Sequence, residues 1–161
     1  MLQKFRSMLK NEKGLTLIEL LAVVVILGII AAIAVPSIGK LIDNSKVDAH
    51  VANAEQVVSA ARLAATSDSS ISVGSKFVSL EYLISKGFLE QIQDPDDKNK
   101  SYKQGNKSNA AVDTIADTHS YVQLLDGKVI GVNLVGENRS VKATANTGGN
   151  LVINKSSVTN N

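Results

Sequence analysis

One carboxylate interrupts an apolar stretch that runs from residue 15 to residue 35, where Glu19 is the only charged side chain. As a helix, the stretch would be about 31 Å long at 1.5 Å per residue, close to the roughly 30 Å hydrocarbon core of a bilayer. A charged group in such a helix costs about 2.5 to 3.5 kcal/mol even on lenient scales. The sequence therefore predicts a membrane-spanning helix in which Glu19 needs a partner.

The residues around Glu19 carry a recognisable motif, which reads Lys-Gly-Leu-Thr-Leu-Ile-Glu from Lys13 to Glu19. It resembles the processing and assembly motif of type IV pilins and of type II secretion and competence pseudopilins. The resemblance implies that prepilin peptidase cuts after Gly14 and that the new N-terminal residue, Leu15, is methylated. It also implies that the Glu19 carboxylate pairs with the amino group of Leu15 on an adjacent subunit, a charge-assisted contact strengthened by a low dielectric.

Two residues within or just after the apolar stretch weaken a helix, and both lie where pilins commonly carry such residues. Gly28 is a poor helix former, and Pro36 has no N–H to donate to the carbonyl of Ala32. We therefore expect the helix between Gly28 and Pro36 to kink or melt.

The charge is distributed unevenly along the 161-residue chain. Residues 1–14 hold four of the 17 Lys and Arg residues but only one of the 15 Asp and Glu residues. A basic flank before an apolar helix stays in the cytoplasm and directs the following chain outward. The positive net charge of the chain therefore indicates how the helix is oriented in the membrane, and it gives no support to nucleic-acid binding.

The rest of the chain predicts an α+β fold, with a long N-terminal helical spine and a small C-terminal antiparallel β-sheet head. This architecture resembles the type IV pilin fold. We divide the chain into a cleaved leader (1–14), a transmembrane and assembly helix (15–35), an amphipathic continuation (36–66) and an α+β head (67–161). Apolar residues recur every three or four positions in the continuation, which predicts one buried face: Val47, Val51, Ala54, Val58, Ala61 and Ala65.

Within the head, residues 80–86 predict a short helix capped by Ser79 and stopped by Gly87. Asp126-Gly127 joins two β-rich runs, 121–125 and 128–134, and is a strong hairpin signal. A weaker pair is predicted at 140–144 and 151–153. The segments 103–117 and 156–161 are predicted to be loose.

A weak calcium-site candidate lies where Asp94, Asp96 and Asp97 concentrate oxygen ligands. Its spacing does not match a calcium-hand loop and no glutamate closes it, so a solvated turn is favoured.

His50 and His119 have no cysteine or evident carboxylate cluster beside them, which favours surface or helix-face roles. The chain has no cysteine. The sequence contains no nucleophile-elbow motif, phosphate-binding loop or zinc-ligand spacing, so we do not expect an enzyme.

DNA is a further candidate partner, because several lysines flank Tyr102 and could contact phosphates. They form a local strip at Lys98, Lys100, Lys103 and Lys107. The adjoining acids favour a solvated face, so any part in DNA uptake is expected to be indirect.

The predicted function is that of a structural subunit of a type IV pilus-like filament. Its expected partners are further copies of the chain, the membrane, prepilin peptidase, and an inner-membrane assembly platform with its ATPase motor. The precursor would lie in the cell membrane and the filament on the cell surface. Three alternatives stay open: a competence or type II secretion pseudopilin, a plain membrane anchor, and a secreted binding domain released by ordinary signal peptidase near Ala32-Ile33-Ala34.

Overall fold

The computed structural model describes residues 16–105 and 118–161. The chain divides into two compact units, Met1–Asp43 and Asn44–Asn161. Most of the predicted loose segment 103–117, including Lys107, lies outside the described residues.

Helix α1, Leu17–Ser67, is the only helix in the described part of the chain that is long and apolar enough to cross a membrane. Its most apolar 18-residue window has a mean hydropathy of 3.0. In the first unit its apolar side chains are exposed, as at Ile18 (72%) and Ile33 (70%). These side chains require cover from a membrane or from other chains, because that much contiguous apolar surface is unfavourable in water.

Gly28 and Pro36 both lie inside this continuous helix. Pro36 cannot donate a backbone hydrogen bond, so the turn before it lacks one of its regular contacts. Melting of this segment on assembly therefore stays a prediction for the filament.

In the second unit, α1 buries one face against the head, as the periodicity predicted. Ala54, Val58, Ala61 and Ala65 are buried, while Val51 is half-buried. The buried face also includes His50, Val57, Ala60 and Ala64. The many alanines allow the sheet and the loops of the head to approach the helix backbone closely.

The described part of the head contains a five-stranded antiparallel sheet and a separate two-stranded hairpin. In spatial order, the strands of the larger sheet are β1 (Ser75–Ser79), β4 (Tyr121–Leu125), β5 (Lys128–Val135), β6 (Arg139–Thr144) and β7 (Val158–Asn160). The hairpin pairs β2 (Gln93–Asp94) with β3 (Asp97–Ser101). One core joins α1, the sheet and a short helix, α2 (Leu80–Ser85). The predicted α+β class is confirmed.

The local signals in the head are confirmed at α2 and at the β4-β5 hairpin. The Ser79 hydroxyl accepts a hydrogen bond from the Tyr82 amide at 3.1 Å, and Gly87 has a φ of 76°. Asp126 and Gly127 have φ angles of 48° and 74°, which the turn between two twisted strands requires.

Two predictions about strands are wrong. Residues 151–153 form no strand, and the final strand β7 lies in the segment predicted to be loose. The reason is a 3-10 turn at Lys155–Ser157, which the Asn154 side chain caps, so that the chain reverses and pairs β7 with β6. Leu151 and Ile153 pack against the core without ladder hydrogen bonds.

The end of α1 is held by a buried phenol. The Tyr82 hydroxyl donates to Asp68 Oδ2 at 2.6 Å, and the Ser70 amide donates to Asp68 Oδ1 at 2.9 Å. Hydrogen bonds from Ser70 and from Tyr82 lower the pKa of Asp68 to about 2. Burial, and next the contact with Asp68, raises the pKa of Tyr82 to about 12.

We expect Tyr82→Phe to lose stability mainly at neutral pH. The folded-state pKa of Asp68 lies below its ordinary value of 3.8. The contribution of the ionised carboxylate is therefore present above about pH 4 and is lost as the pH falls to about 2. The difference in free energy of unfolding between wild type and variant should narrow over that range, measured by urea unfolding of the detergent-solubilised chain. An equal difference at every pH would contradict the role of the Asp68 carboxylate.

Candidate functional site

The assembly end of α1 begins with a reciprocal cap between Thr16 and Glu19. The Thr16 amide donates to Glu19 Oε2 at 2.8 Å, and the Glu19 amide donates to the Thr16 hydroxyl oxygen at 3.3 Å. The Thr16 hydroxyl also donates to Glu19 Oε2, at 2.7 Å. This is a capping box, which satisfies backbone donors that the first turn of a helix leaves unpaired.

Both side-chain contacts of Glu19 fall on Oε2, so Oε1 has no hydrogen bond among the described residues. A carboxylate held by its own helix terminus is also favoured by the helix dipole. Glu19 is thus oriented through Oε2, and the residues that the structure describes leave Oε1 available to a further donor.

The structure therefore adds Thr16 to the candidate site, a residue that the sequence analysis missed. The signal was present, because Thr-x-x-Glu before an apolar run is the sequence pattern of a capping box. Gly14 and Leu15, the predicted cleavage and methylation positions, lie outside the described residues.

A second cluster of polar side chains lies in the head, beneath α1. Its centre is the Asp96 carboxylate, whose side chain is only 4% exposed. Arg139 Nη1 donates to Asp96 Oδ1 at 3.0 Å, and Lys46 Nζ lies 3.5 Å from the same oxygen. His50 Nε2 lies 3.2 Å from Asp96 Oδ2. We call these residues, with Asp94, Asn53 and Tyr102, the polar junction.

A chain of hydrogen bonds continues from His50 through the polar junction. Tyr102 Oη lies 2.7 Å from His50 Nδ1, and Asn53 Nδ2 donates to Tyr102 Oη at 3.1 Å. Burial raises the pKa of Tyr102, so its hydroxyl keeps its proton. The His50 tautomer with the proton on Nε2 suits this network, because it donates to Asp96 and accepts from Tyr102 at Nδ1.

Asp94 connects the polar junction to the turn between β5 and β6. Its Oδ1 accepts from the Asp96 amide at 2.9 Å, and its Oδ2 accepts from the Glu137 amide at 2.7 Å. A Cβ atom on Gly136 would lie 2.6 Å from Asp94 Oδ2 and 2.6 Å from the Arg139 carbonyl oxygen. Only glycine fits between these two oxygens.

We expect Gly136→Ala to lower the free energy of unfolding by about 1 to 3 kcal/mol, as overpacking typically does. Gly148→Ala is the matched control, since the nearest atom to its Cβ would be Asn146 Oδ1 at 3.4 Å. Urea unfolding of both variants measures the difference. Equal stability of the two variants would show that the β5-β6 turn can move away from Asp94.

The solvated turn predicted for the segment 94–100 is wrong for Asp94 and Asp96, because both carboxylates are buried or nearly so. Likewise, His50 has two carboxylates beside it, although none was evident from the sequence. The cause is the β2-β3 hairpin, which brings the two aspartates beneath α1. His119 is exposed, as expected for a surface role.

The polar junction meets a geometric condition for a metal ion but suits calcium poorly. Ligand atoms of His50, Asp94 and Asp96 lie within 4.8 Å of one another. Calcium prefers six to eight oxygen ligands, whereas His50 supplies nitrogen and Asp96 already faces Arg139 and Lys46. Asp97 is occupied elsewhere, accepting from the Asn99 amide at 3.0 Å. The arrangement is better suited to joining α1 with the head.

Two residues of the predicted basic strip, Lys100 and Tyr102, are engaged in other contacts. Lys100 Nζ lies 2.9 Å from Glu137 Oε1, and this contact raises the pKa of Lys100. Tyr102 is buried in the polar junction, so its ring is inaccessible to a nucleic-acid base. Lys98 is exposed.

Comparison with known proteins identifies the N-terminal segment. Residues 9–35 match the prokaryotic N-terminal methylation motif, which covers the predicted cleavage position, Glu19 and the apolar stretch. No curated protein and no solved structure matches the chain. The chain carries the N-terminal motif of prepilin-like precursors, and with its apolar helix it fits a membrane-anchored precursor that assembles into a surface filament.

Proposed function

We propose that this chain is a structural subunit of a type IV pilus-like extracellular filament. In this proposal prepilin peptidase cleaves after Gly14, Leu15 is methylated, and the subunit assembles through its N-terminal helix. The observation that carries the proposal is the methylation motif at residues 9–35, set on a helix whose apolar side chains are exposed in the single chain.

Burial of the apolar half of α1 between subunits stabilises the assembled filament against dissociation into water. Each Å² of apolar surface removed from water contributes about 25 cal/mol, so a few hundred Å² per contact contributes several kcal/mol before entropic costs. In the precursor, the membrane covers the same surface. Transfer from lipid to filament therefore exchanges one apolar environment for another, and it needs a specific contact that favours the filament.

The Glu19 carboxylate provides that contact. Within residues 16–105 and 118–161 the capping box leaves Oε1 open, and the methylated amino group of Leu15 on the next subunit is the proposed donor. In a low dielectric, a charge-assisted hydrogen bond is stronger than the same contact in water. The remaining steps belong to partners: an assembly platform in the membrane and an ATPase motor that extracts the subunits. The chain's own role is structural, without catalysis.

Mass spectrometry of the mature N-terminus tests the proposal. We expect a chain that begins with N-methylated Leu15. A Gly14→Leu variant, which removes the residue at the cleavage site, is the matched control and should retain its leader. A mature chain that begins at Val35 would instead indicate ordinary signal peptidase and a secreted domain. Electron microscopy then separates long surface fibres from the short filament of a pseudopilin.

A further inference from the structure

Two grooves flank the exposed side of α1 in the second unit, with Ser59 bordering both. The basic groove consists of two pockets of about 320 and 380 Å³ that share Arg62. Lys128 and Leu151 form part of its opposite wall. The acidic groove, of about 370 Å³, is lined by Leu63, Phe88 and Glu90 among others.

The charges in the two grooves are opposite, and the part of the chain that the structure describes gives them no ion-pair partner. Among the described residues, none of Arg62, Lys128 and Glu90 takes part in an ion pair. Glu55 also lines the basic groove but lies two helical turns, or about 10 Å, from Arg62. Each groove therefore presents a net charge to a partner.

Both grooves also expose apolar side chains, which favours a protein as the occupant over a small anion. Leu63 is 55% exposed in the acidic groove. Val152, between two residues that line the basic groove, is 58% exposed. An interface with apolar centres and charged rims is typical of protein contacts.

We propose that the basic groove of one copy of this chain binds the acidic groove of the next copy. The inference rests on the proposed filament function. A helical filament uses heterologous contacts, in which two different patches of the same subunit meet. The opposite charges of Arg62 with Lys128 and of Glu90 make the two patches complementary, and they also select the register of the contact.

Cross-linking between two copies that carry a cysteine at different positions tests the contact. The sequence has no cysteine of its own, so every cross-link must join the introduced cysteines. Cells co-express full-length Arg62→Cys and Glu90→Cys chains, and isolated filaments are treated with a short bis-maleimide. A paired arginine and glutamate hold their Cβ atoms further apart than the roughly 3.5 to 4.5 Å that a disulfide needs. We expect covalent dimers from the mixture and none from either variant alone. Lys98→Cys with Glu90→Cys is the control and should give none.

Charge reversal gives an independent measurement. We expect Arg62→Glu and Glu90→Arg each to lower the amount of filament about tenfold, because like charges then face each other across the contact. The double variant should recover most of the wild-type amount. Lys98→Glu should have no effect. Equal levels of processed chain in the membrane confirm that the variants fold.

The outcomes separate this inference from the proposed function. If the wild type forms filaments, but the cysteine variants do not cross-link and the charge-reversed variants assemble normally, the two grooves do not meet and the basic groove is open to another partner. If the wild type forms no filament, the proposed function itself fails. Loss of filament in the single variants without recovery in the double variant would also overturn the pairing.

Discussion

Replacing Glu19 with glutamine should leave the chain processed and stored in the membrane, but should lower the amount of surface filament about 100-fold or more. Glutamine keeps the size of the side chain and removes the charge, so the partner amine of Leu15 would lose its counter-ion. A charge-assisted hydrogen bond of about 3 kcal/mol corresponds to roughly a hundredfold change in affinity. Every subunit makes the same contact, so each addition to the filament loses the same binding free energy.

The matched control is Thr16→Val, which removes the capping hydroxyl but keeps the Glu19 charge. We expect this variant to retain filaments at a reduced level, because loss of a helix cap costs about 1 kcal/mol. Immunoblots of sheared surface fractions and of membranes measure filament and stored precursor separately. Normal fibres in normal abundance from Glu19→Gln would show that the carboxylate does not hold the subunits together.

The second large effect is expected for Asp96→Ala, which should lower the free energy of unfolding by about 3 to 5 kcal/mol. Asp96 is the common partner of Arg139, at 3.0 Å, and of His50, at 3.2 Å. Removing it takes away the carboxylate that Arg139, 16% exposed, shares with the fully buried His50 side chain. Since a largely buried charge that loses its counter-ion is far more costly than the pair, the second unit should unfold at much lower urea concentration.

Asp97→Ala is the control for this measurement. Asp97 is on the same hairpin, but its side chain is 32% exposed and it lies 3.9 Å from Lys100. Contacts between exposed charges contribute about 0 to 1 kcal/mol, so this variant should be close to wild type. Near-ultraviolet circular dichroism of the tyrosines follows the unfolding. If Asp96→Ala and Asp97→Ala have similar midpoints, the polar junction does not stabilise the head.

Local features were predictable because short stretches of sequence determine them. The apolar period of α1, the Ser79 cap of α2 and the positive φ angles at Asp126-Gly127 each depend on residues within one or two turns of chain. The α+β class follows from the sum of such signals. The capping role of Thr16 is a local feature of the same kind, since the capping box spans only four residues.

Long-range pairings were not predictable, because no local pattern specifies them. The β7 strand forms because the Asn154-capped turn brings it beside β6. The polar junction likewise joins residues as far apart in sequence as His50 and Tyr102. Sequence by itself thus determined the membrane helix, its lone carboxylate and the class of the fold. Tertiary structure alone decided which polar groups are buried together, because desolvation and pairing depend on neighbours that are distant along the chain.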